Sequence, residues 1–135
     1  MHISASILNT GHQNEVRVTT NTISKQIVIP AKAEGKGSSV NGGELLFLAL
    51  ATCFCNDIYS EAAKRHLEIK SVEVIVSGEF GGEGEPGRNI QYEVKVDSDH
   101  REEVIRDLIT YVDQVAEVHN TLRVGTPIVL KEKAR

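Results

Sequence analysis

Apolar and polar residues alternate along residues 2–30. In HISASILN, residues 2–9, Ile3, Ala5 and Ile7 fall on one side of an extended chain. Period-two alternation of this kind predicts a half-buried strand. EVRVTTN repeats the pattern with Val16 and Val18, and KQIVIP, residues 25–30, repeats it with Ile27 and Ile29. Polar breaks at Thr10-Gly11-His12 and at Asn21-Thr22 would turn the chain, which gives three antiparallel strands. Residues 31–43, AKAEGKGSSVNGG, have the glycine and serine content of a loop.

The period then changes. ELLFLALATCFC is apolar nearly all round and predicts a helix from Gly43 to about Leu67 that is buried on every side. Asn41 can cap its start, with Glu44 completing a capping box. Its second half, NDIYSEAAKRHLE, becomes amphipathic, so the far end should reach water, with Tyr59 packed against sheet. Lys64, Arg65 and His66 suit the negative end of the helix dipole. Alternation returns in SVEVIVSGEF and NIQYEVKVD, joined by the hairpin link GGEGEPGR. Asp99 is placed to cap a second helix with Glu102 at its third position, and Val104, Ile105, Leu108, Ile109, Val112 and Val115 form its apolar stripe. HNTLR continues that helix or re-forms a turn, Gly125 ends it, and TPIVLKEK reads as a last strand. The order βββ-α-ββ-α-β describes an α+β fold, with a long buried central helix clasped by antiparallel sheet, in one domain spanning residues 1–135. So few strands cannot cover a helix that is apolar all round, and a two-fold homodimer would supply the missing cover.

Composition removes several classes of function. The net charge is −4, and the basic clusters are Lys64-Arg65 and the tail residues Lys131, Lys133 and Arg135. That balance argues against nucleic acid, whose binding requires a basic face. No apolar stretch is expected to reach the roughly 18 residues of a membrane span, and the N-terminus lacks the pattern of a signal peptide. The expected compartment is therefore the cytoplasm, where thiols stay reduced. The Gly-Lys loop is not a phosphate cradle. Pro30 stands where its first Gly is needed, and Gly37 where a Ser or Thr must hold magnesium. Lys36 reads as a solvated side chain.

The candidate chemistry lies in ALATCFCND, which carries both cysteines, Cys53 and Cys55. Residues two apart on a helix diverge by about 200°. The two thiols therefore face opposite sides, and can neither pair with each other nor share one metal ion. The five histidines, 2, 12, 66, 100 and 119, have no i, i+4 spacing, so neither metal nor cofactor is expected. Each cysteine is then either a small buried hydrophobe or a single reactive thiol. A reactive thiol would need a cation such as Lys32 or Lys36 from the preceding loop, because the helix start is too distant to lower its pKa.

NGGELLFLALATCF resembles the segment of the OsmC/Ohr family that reads Asn-Pro-Glu-Xaa-Leu, an apolar helix, then Ala-Cys-Phe. EAAKRHLEIKSVEVIVSGEF resembles the family's helix end and following hairpin, and HNTLRVGTPIVL its C-terminal turn and strand. The resemblance implies an intertwined homodimer with sites at the subunit interface. It also implies a thiol peroxidase acting on organic hydroperoxides, in which one Cys becomes a sulfenic acid, a second Cys closes a disulfide, an Arg held by a Glu steadies the thiolate, and external thiols restore the enzyme. Cys53 matches the peroxidatic position. Ala116 takes the place of the second Cys, with Glu117 and His119 beside it in the family's Pro and Ser positions. The family Glu falls on Gly43, next to Glu44, and the family Arg aligns with Lys32 or, alternatively, Arg17.

Three readings stay open. In the first, Cys53 is a single peroxidatic thiol, with Lys32, Glu44 and His119 as helpers and Cys55 as a possible second thiol. In the second, the protein binds a small apolar molecule in a pocket at the dimer interface, lined by Leu46, Phe47, Leu50 and Phe54 with Cys53 as wall. In the third, it is a structural module with two inert thiols. Glu44 is otherwise a helix-start charge, and His119 a surface or capping residue.

Overall fold

Where a hydrophobic face meets a matching turn, the alternating pattern produces the expected strand. A computed structural model describes residues 1–131 of the chain. It holds two compact units, Met1–Leu45 and Leu46–Arg135.

In the first unit, β1 (Ile3–Thr10), β2 (Gln13–Thr20) and β3 (Ile23–Gln26) form an antiparallel sheet in the order β1-β2-β3. Thr10 pairs with Gln13 and Thr20 with Ile23, so both turns are two-residue hairpins at the expected positions. Gly11 (φ 66°) and Asn21 (φ 53°) supply the left-handed conformation that such turns require. The third strand begins and ends earlier than the KQIVIP pattern suggests. Ile27 still donates its N–H to Val16 O at 3.2 Å. Beyond it, the Asn14 side-chain amide takes over, donating to Ile29 O at 3.0 Å and to Ser38 Oγ at 2.9 Å. A side chain thus replaces the ladder and frees the chain to leave the sheet. The expected half-burial of β1 is also corrected, since Ile3 and Ile7 are exposed.

Helix α1 (Gly42–Lys64) starts on the expected capping box. Glu44 N–H donates to Asn41 Oδ1 at 2.8 Å, and Asn41 N–H donates to a Glu44 carboxylate oxygen at 2.9 Å. It stops at Lys64 rather than near Leu67 because His66 turns left-handed (φ 56°). Leu67 N–H then reaches Ala62 O at 2.8 Å and His66 N–H reaches Ala63 O at 3.2 Å, which satisfies the last carbonyls.

In the second unit, β4 (Ser71–Glu79) and β5 (Arg88–Asp97) form a hairpin with alternate residues turned inward. Gly78 lies so close to the Phe47 ring that a Cβ there would meet Phe47 Cζ at 2.8 Å. Helices α2 (Glu102–Val115) and α3 (Glu117–Arg123) follow, broken at Ala116, whose backbone is extended (ψ 108°). Asp99 does not cap α2. It lies two residues before the Arg101 cap position and pairs with Lys70 Nζ at 2.9 Å.

The core of this unit joins Phe54, Ile58 and Ala62 of α1 to Leu108 and Val112 of α2 and to Ala116, with Val72, Val74, Tyr92, Val94 and Val96 of the hairpin packed against it. Helix α1 therefore buries one face, not its whole circumference. Leu48 keeps 59% of its surface exposed and Tyr59 43%. By length and composition α1 also reaches the size of a membrane span, which the sequence reading did not expect. Of that stretch 22% is buried, in the stripe that carries Leu50, Phe54, Ile58 and Ala62. The last expected strand is absent from residues 126–131, and Ile128 is 99% exposed. Residues 132 and 133 of that segment lie outside the described residues. The element order within them is βββ-α-ββ-α-α.

Phe54 fills the centre of this core with none of its surface exposed. Phe54→Ala should lower unfolding stability by about 3–5 kcal/mol, read from urea denaturation, because it deletes a ring from a site that cannot collapse.

Candidate functional site

The phase of α1 sets the position of the two thiols. With Phe54 and Ile58 turned to the core, Cys53 and Asp57, each one residue earlier, share the neighbouring strip of the helix, because residues four apart lie one above the other. Cys53 S–H donates to Asp57 Oδ2 at 3.8 Å. From the first residue of α3, Glu117 brings a second carboxylate to the same place. The sulfur and the two carboxylates all lie within 4.8 Å of one another. Both cysteines are unpaired and half-buried. Cys55 turns to the hairpin side, lining a cavity of about 270 Å³ with Val72, Val74 and Asn56. The divergence expected from the helical repeat is thus observed.

The charge around Cys53 has the opposite sign to the one expected. Burial raises the thiol pKa above its ordinary 9.0, the Val118 backbone N–H pulls it down, and Asp57 and Glu117 raise it further. Asp57 is itself raised above 3.8 by burial and by Glu117, with Cys53 and Lys64 opposing. At neutral pH Cys53 is therefore a protonated thiol beside a carboxylate. Lys32 and Arg17 belong to the first unit. There, Lys32 N–H bonds Gly37 O at 2.9 Å in the loop closed by the Ala31–Ser38 bridge. Glu44 is occupied in the capping box.

Of the four residues expected to line an apolar pocket, Leu50 and Phe54 are buried in the protein and cannot form an open wall within one protomer. Phe47 stacks on Phe80 with ring centroids 5.8 Å apart, and Leu46 is half-buried. His119 is a clear correction. It is neither a surface nor a capping residue, being only 4% exposed and wedged between Phe54 (5.6 Å) and Tyr92 (4.8 Å), with both ring nitrogens lacking a hydrogen-bond partner.

Beside that ring lies a network the sequence did not reveal. Tyr92 O–H donates to Asp113, and Arg123 Nη2 donates to the same carboxylate oxygen at 2.7 Å. Arg123 Nη1 also donates to Asp113 O at 2.8 Å and to Asn120 Oδ1 at 3.1 Å. The tyrosine hydrogen bond, assisted by Arg123, lowers the Asp113 pKa, while burial and then Asp113 raise that of Tyr92. These bonds tie α3 to α2 and so fix where Glu117 meets Cys53. Asp57 had a readable signal, its i, i+4 spacing from Cys53. Glu117 and the Tyr92–Asp113–Arg123 network had none, because their approach depends on the break at Ala116.

Among the described residues, Cys53, Asp57 and Glu117 are also the donors close enough to hold one metal ion, and no histidine joins them. The expectation of no metal rested on cysteine and histidine spacing and did not consider this combination.

A family model described as OsmC-like protein matches residues 35–131. The chain belongs to the OsmC-like protein family. Solved structures agree in fold. An OsmC-like protein from Mycoplasma pneumoniae superposes with a TM-score of 0.60 at 20% identity, covering 89% of this chain and 87% of that one. The organic hydroperoxide resistance protein OhrB of Bacillus subtilis gives 0.52 at 19% identity, covering 89% and 90%. An OsmC-like protein of unknown function from Vibrio cholerae gives 0.56 at 13%, covering 90% and 93%. No curated protein matches the chain. This OsmC-like chain shares the mixed helix and antiparallel-sheet fold of those structures.

Burial, and then Arg123, hold the His119 pKa below its ordinary 6.5, with Asp113 opposing. Unfolding therefore takes up a proton at this position once the pH drops below about 6.5, and the stability present at neutral pH is lost as pH falls toward the folded value. Between pH 7 and 5, the Tm of the wild type should fall more steeply than that of His119→Leu. Scanning calorimetry of the two across that range checks it.

Proposed function

We propose that this OsmC-like protein is a thiol-dependent reductase of small organic hydroperoxides, acting through Cys53 alone and contributing to oxidative stress defence in the cytoplasm. The supporting observation is the half-buried, unpaired Cys53 thiol with a proton acceptor four residues on. It occurs in a family with structural relatives that include an organic hydroperoxide resistance protein. Attack of the sulfur on the peroxide gives Cys53–SOH and an alcohol. The position of the second family cysteine is Ala116, fully buried, and Cys55 looks the other way across the helix. The sulfenic acid therefore condenses with a small external thiol to a mixed disulfide and water, and a second thiol releases Cys53–SH and the external disulfide.

The family match runs across the boundary of the two compact units, which supports one OsmC-like domain. Exposed apolar side chains at Ile3, Ile7, Leu48 and Ile128 support a homodimer that covers them. In such a dimer Lys32 and Glu44 remain candidate helpers.

A second reading has its own support. Burial of the sulfur, with the carboxylates of Asp57 and Glu117 beside it, keeps it protonated, which suits a non-catalytic protein that binds a small apolar ligand or serves as a structural module. Cumene hydroperoxide consumption with dithiothreitol separates the readings. Cys53→Ser should abolish it and Cys55→Ser should keep most of it, whereas an inactive wild type under every thiol donor supports the second reading. Sedimentation at micromolar concentration should give a dimer, and a monomer there would remove the interface from the proposal.

A further inference from the structure

The Cys53 environment poses a chemical question. Thiol peroxidases usually attack as thiolates, and thiolates are favoured by nearby positive charge. In the second unit Cys53 instead faces Asp57 from its own helix and Glu117 from α3, with all three reactive atoms within 4.8 Å. A thiol in that position can still react if its proton leaves as the sulfur attacks, which requires an acceptor in contact with it. Asp57 Oδ2 at 3.8 Å is that acceptor.

We propose that Asp57 is the acid–base catalyst of the Cys53 reaction, taking the thiol proton as sulfur attacks a hydroperoxide and passing it to the departing alkoxide. The inference rests on the hydroperoxide reading above. The step balances as follows: a sulfur lone pair forms the S–O bond to the terminal peroxide oxygen, and the O–O pair leaves with the alkoxide. The S–H proton moves to Asp57 Oδ2 and then to the alkoxide, which departs as alcohol. Sulfur is oxidised by two electrons, the peroxide is reduced by two, and Asp57 returns to its starting state. The external thiol of the catalytic cycle supplies the later reducing equivalents.

Geometry and surroundings fit the role. Asp57 and Glu117 border an open cavity of about 270 Å³ that also touches Ser60, Glu61, Lys64 and Tyr111, which opens the carboxylate to solvent, while Cys53 stands beside this cavity rather than in its lining. The charged groups facing Asp57 are Glu117 from α3 and Lys64 from α1, and the Tyr111 hydroxyl of α2 lies across the cavity. Glu61 is drawn away by Lys64 at 3.4 Å and Arg65 at 3.3 Å. Burial, and then Glu117, raise the proton affinity of Asp57, which makes it a stronger base than an ordinary carboxylate.

The direction of one substitution decides the matter. If Cys53 reacts simply as a thiolate, Asp57→Asn removes a charge and a hydrogen bond that raise the thiol pKa, so the reaction should accelerate. If Asp57 carries the proton, the same substitution should slow it, by about 10²-fold for a lost general base. The experiment is single-turnover sulfenic acid formation with cumene hydroperoxide, followed by mass spectrometry from pH 4 to 9, in wild type, Asp57→Asn and Glu117→Gln. The wild-type rate should fall on the acid side, with its midpoint above the ordinary carboxylate value. Glu117→Gln, an exposed change that keeps the fold, should move that limb to lower pH without abolishing the rate. An Asp57→Asn rate equal to or above wild type, or a Glu117→Gln limb that does not move, overturns the inference alone. A wild type that forms no sulfenic acid overturns the hydroperoxide reading and this inference with it.

Discussion

One face of α1 is committed to the core, and the rest of the second unit follows from that commitment. Phe54, Ile58 and Ala62 recur at intervals of four and are sealed by α2 and the β4–β5 hairpin. Phe54 and Ile58 each contribute roughly 1.5–3 kcal/mol on leaving water. A rotation of the helix by one residue, about 100°, would expose all three together, so its phase is firmly held. With the phase held, Cys53 and Asp57 are forced onto one strip and Cys55 onto another. The chemistry of the site is thus a by-product of packing. Whether two thiols can cooperate, and which carboxylate meets which sulfur, is decided by where the phenyl ring of Phe54 must go.

The second determinant is the break at Ala116. An extended residue between α2 and α3 turns the chain sharply enough for Glu117 to meet Cys53 while His119 enters the core against Phe54 and Tyr92. Arg123 and Asp113 hold the short helix in place through hydrogen bonds at 2.7 and 2.8 Å. A seven-residue helix has little stability of its own, so its position depends on these bonds and on the buried imidazole. The family resemblance set the pattern of a cation beside sulfur. In the second unit, the packed elements supply two acids instead.

Local order was legible along most of the chain. The hairpin turns, the Asn41–Glu44 capping box, the alternating β4 and β5 strands and the divergence of Cys53 from Cys55 all follow from short-range rules. They depend on residues within four positions of one another or on a two-residue repeat. The errors share a different origin. The cap at Asp99 and the strand over residues 126–131 each required knowing what lies opposite. A strand in particular exists only where another strand offers its hydrogen bonds.

By itself, then, the amino-acid sequence determined most of the elements, the capped start of α1 and the divergence of its two thiols, because periodicity and capping are properties of neighbouring residues. It also placed Asp57 within reach of Cys53 through a spacing of four. Only the tertiary structure decided that Glu117 joins them, that His119 is buried without partners and that the sulfur sits among acids. Those facts arise where α3 meets α1 across some sixty residues of intervening chain, and no local rule encodes the angle at which two helices meet.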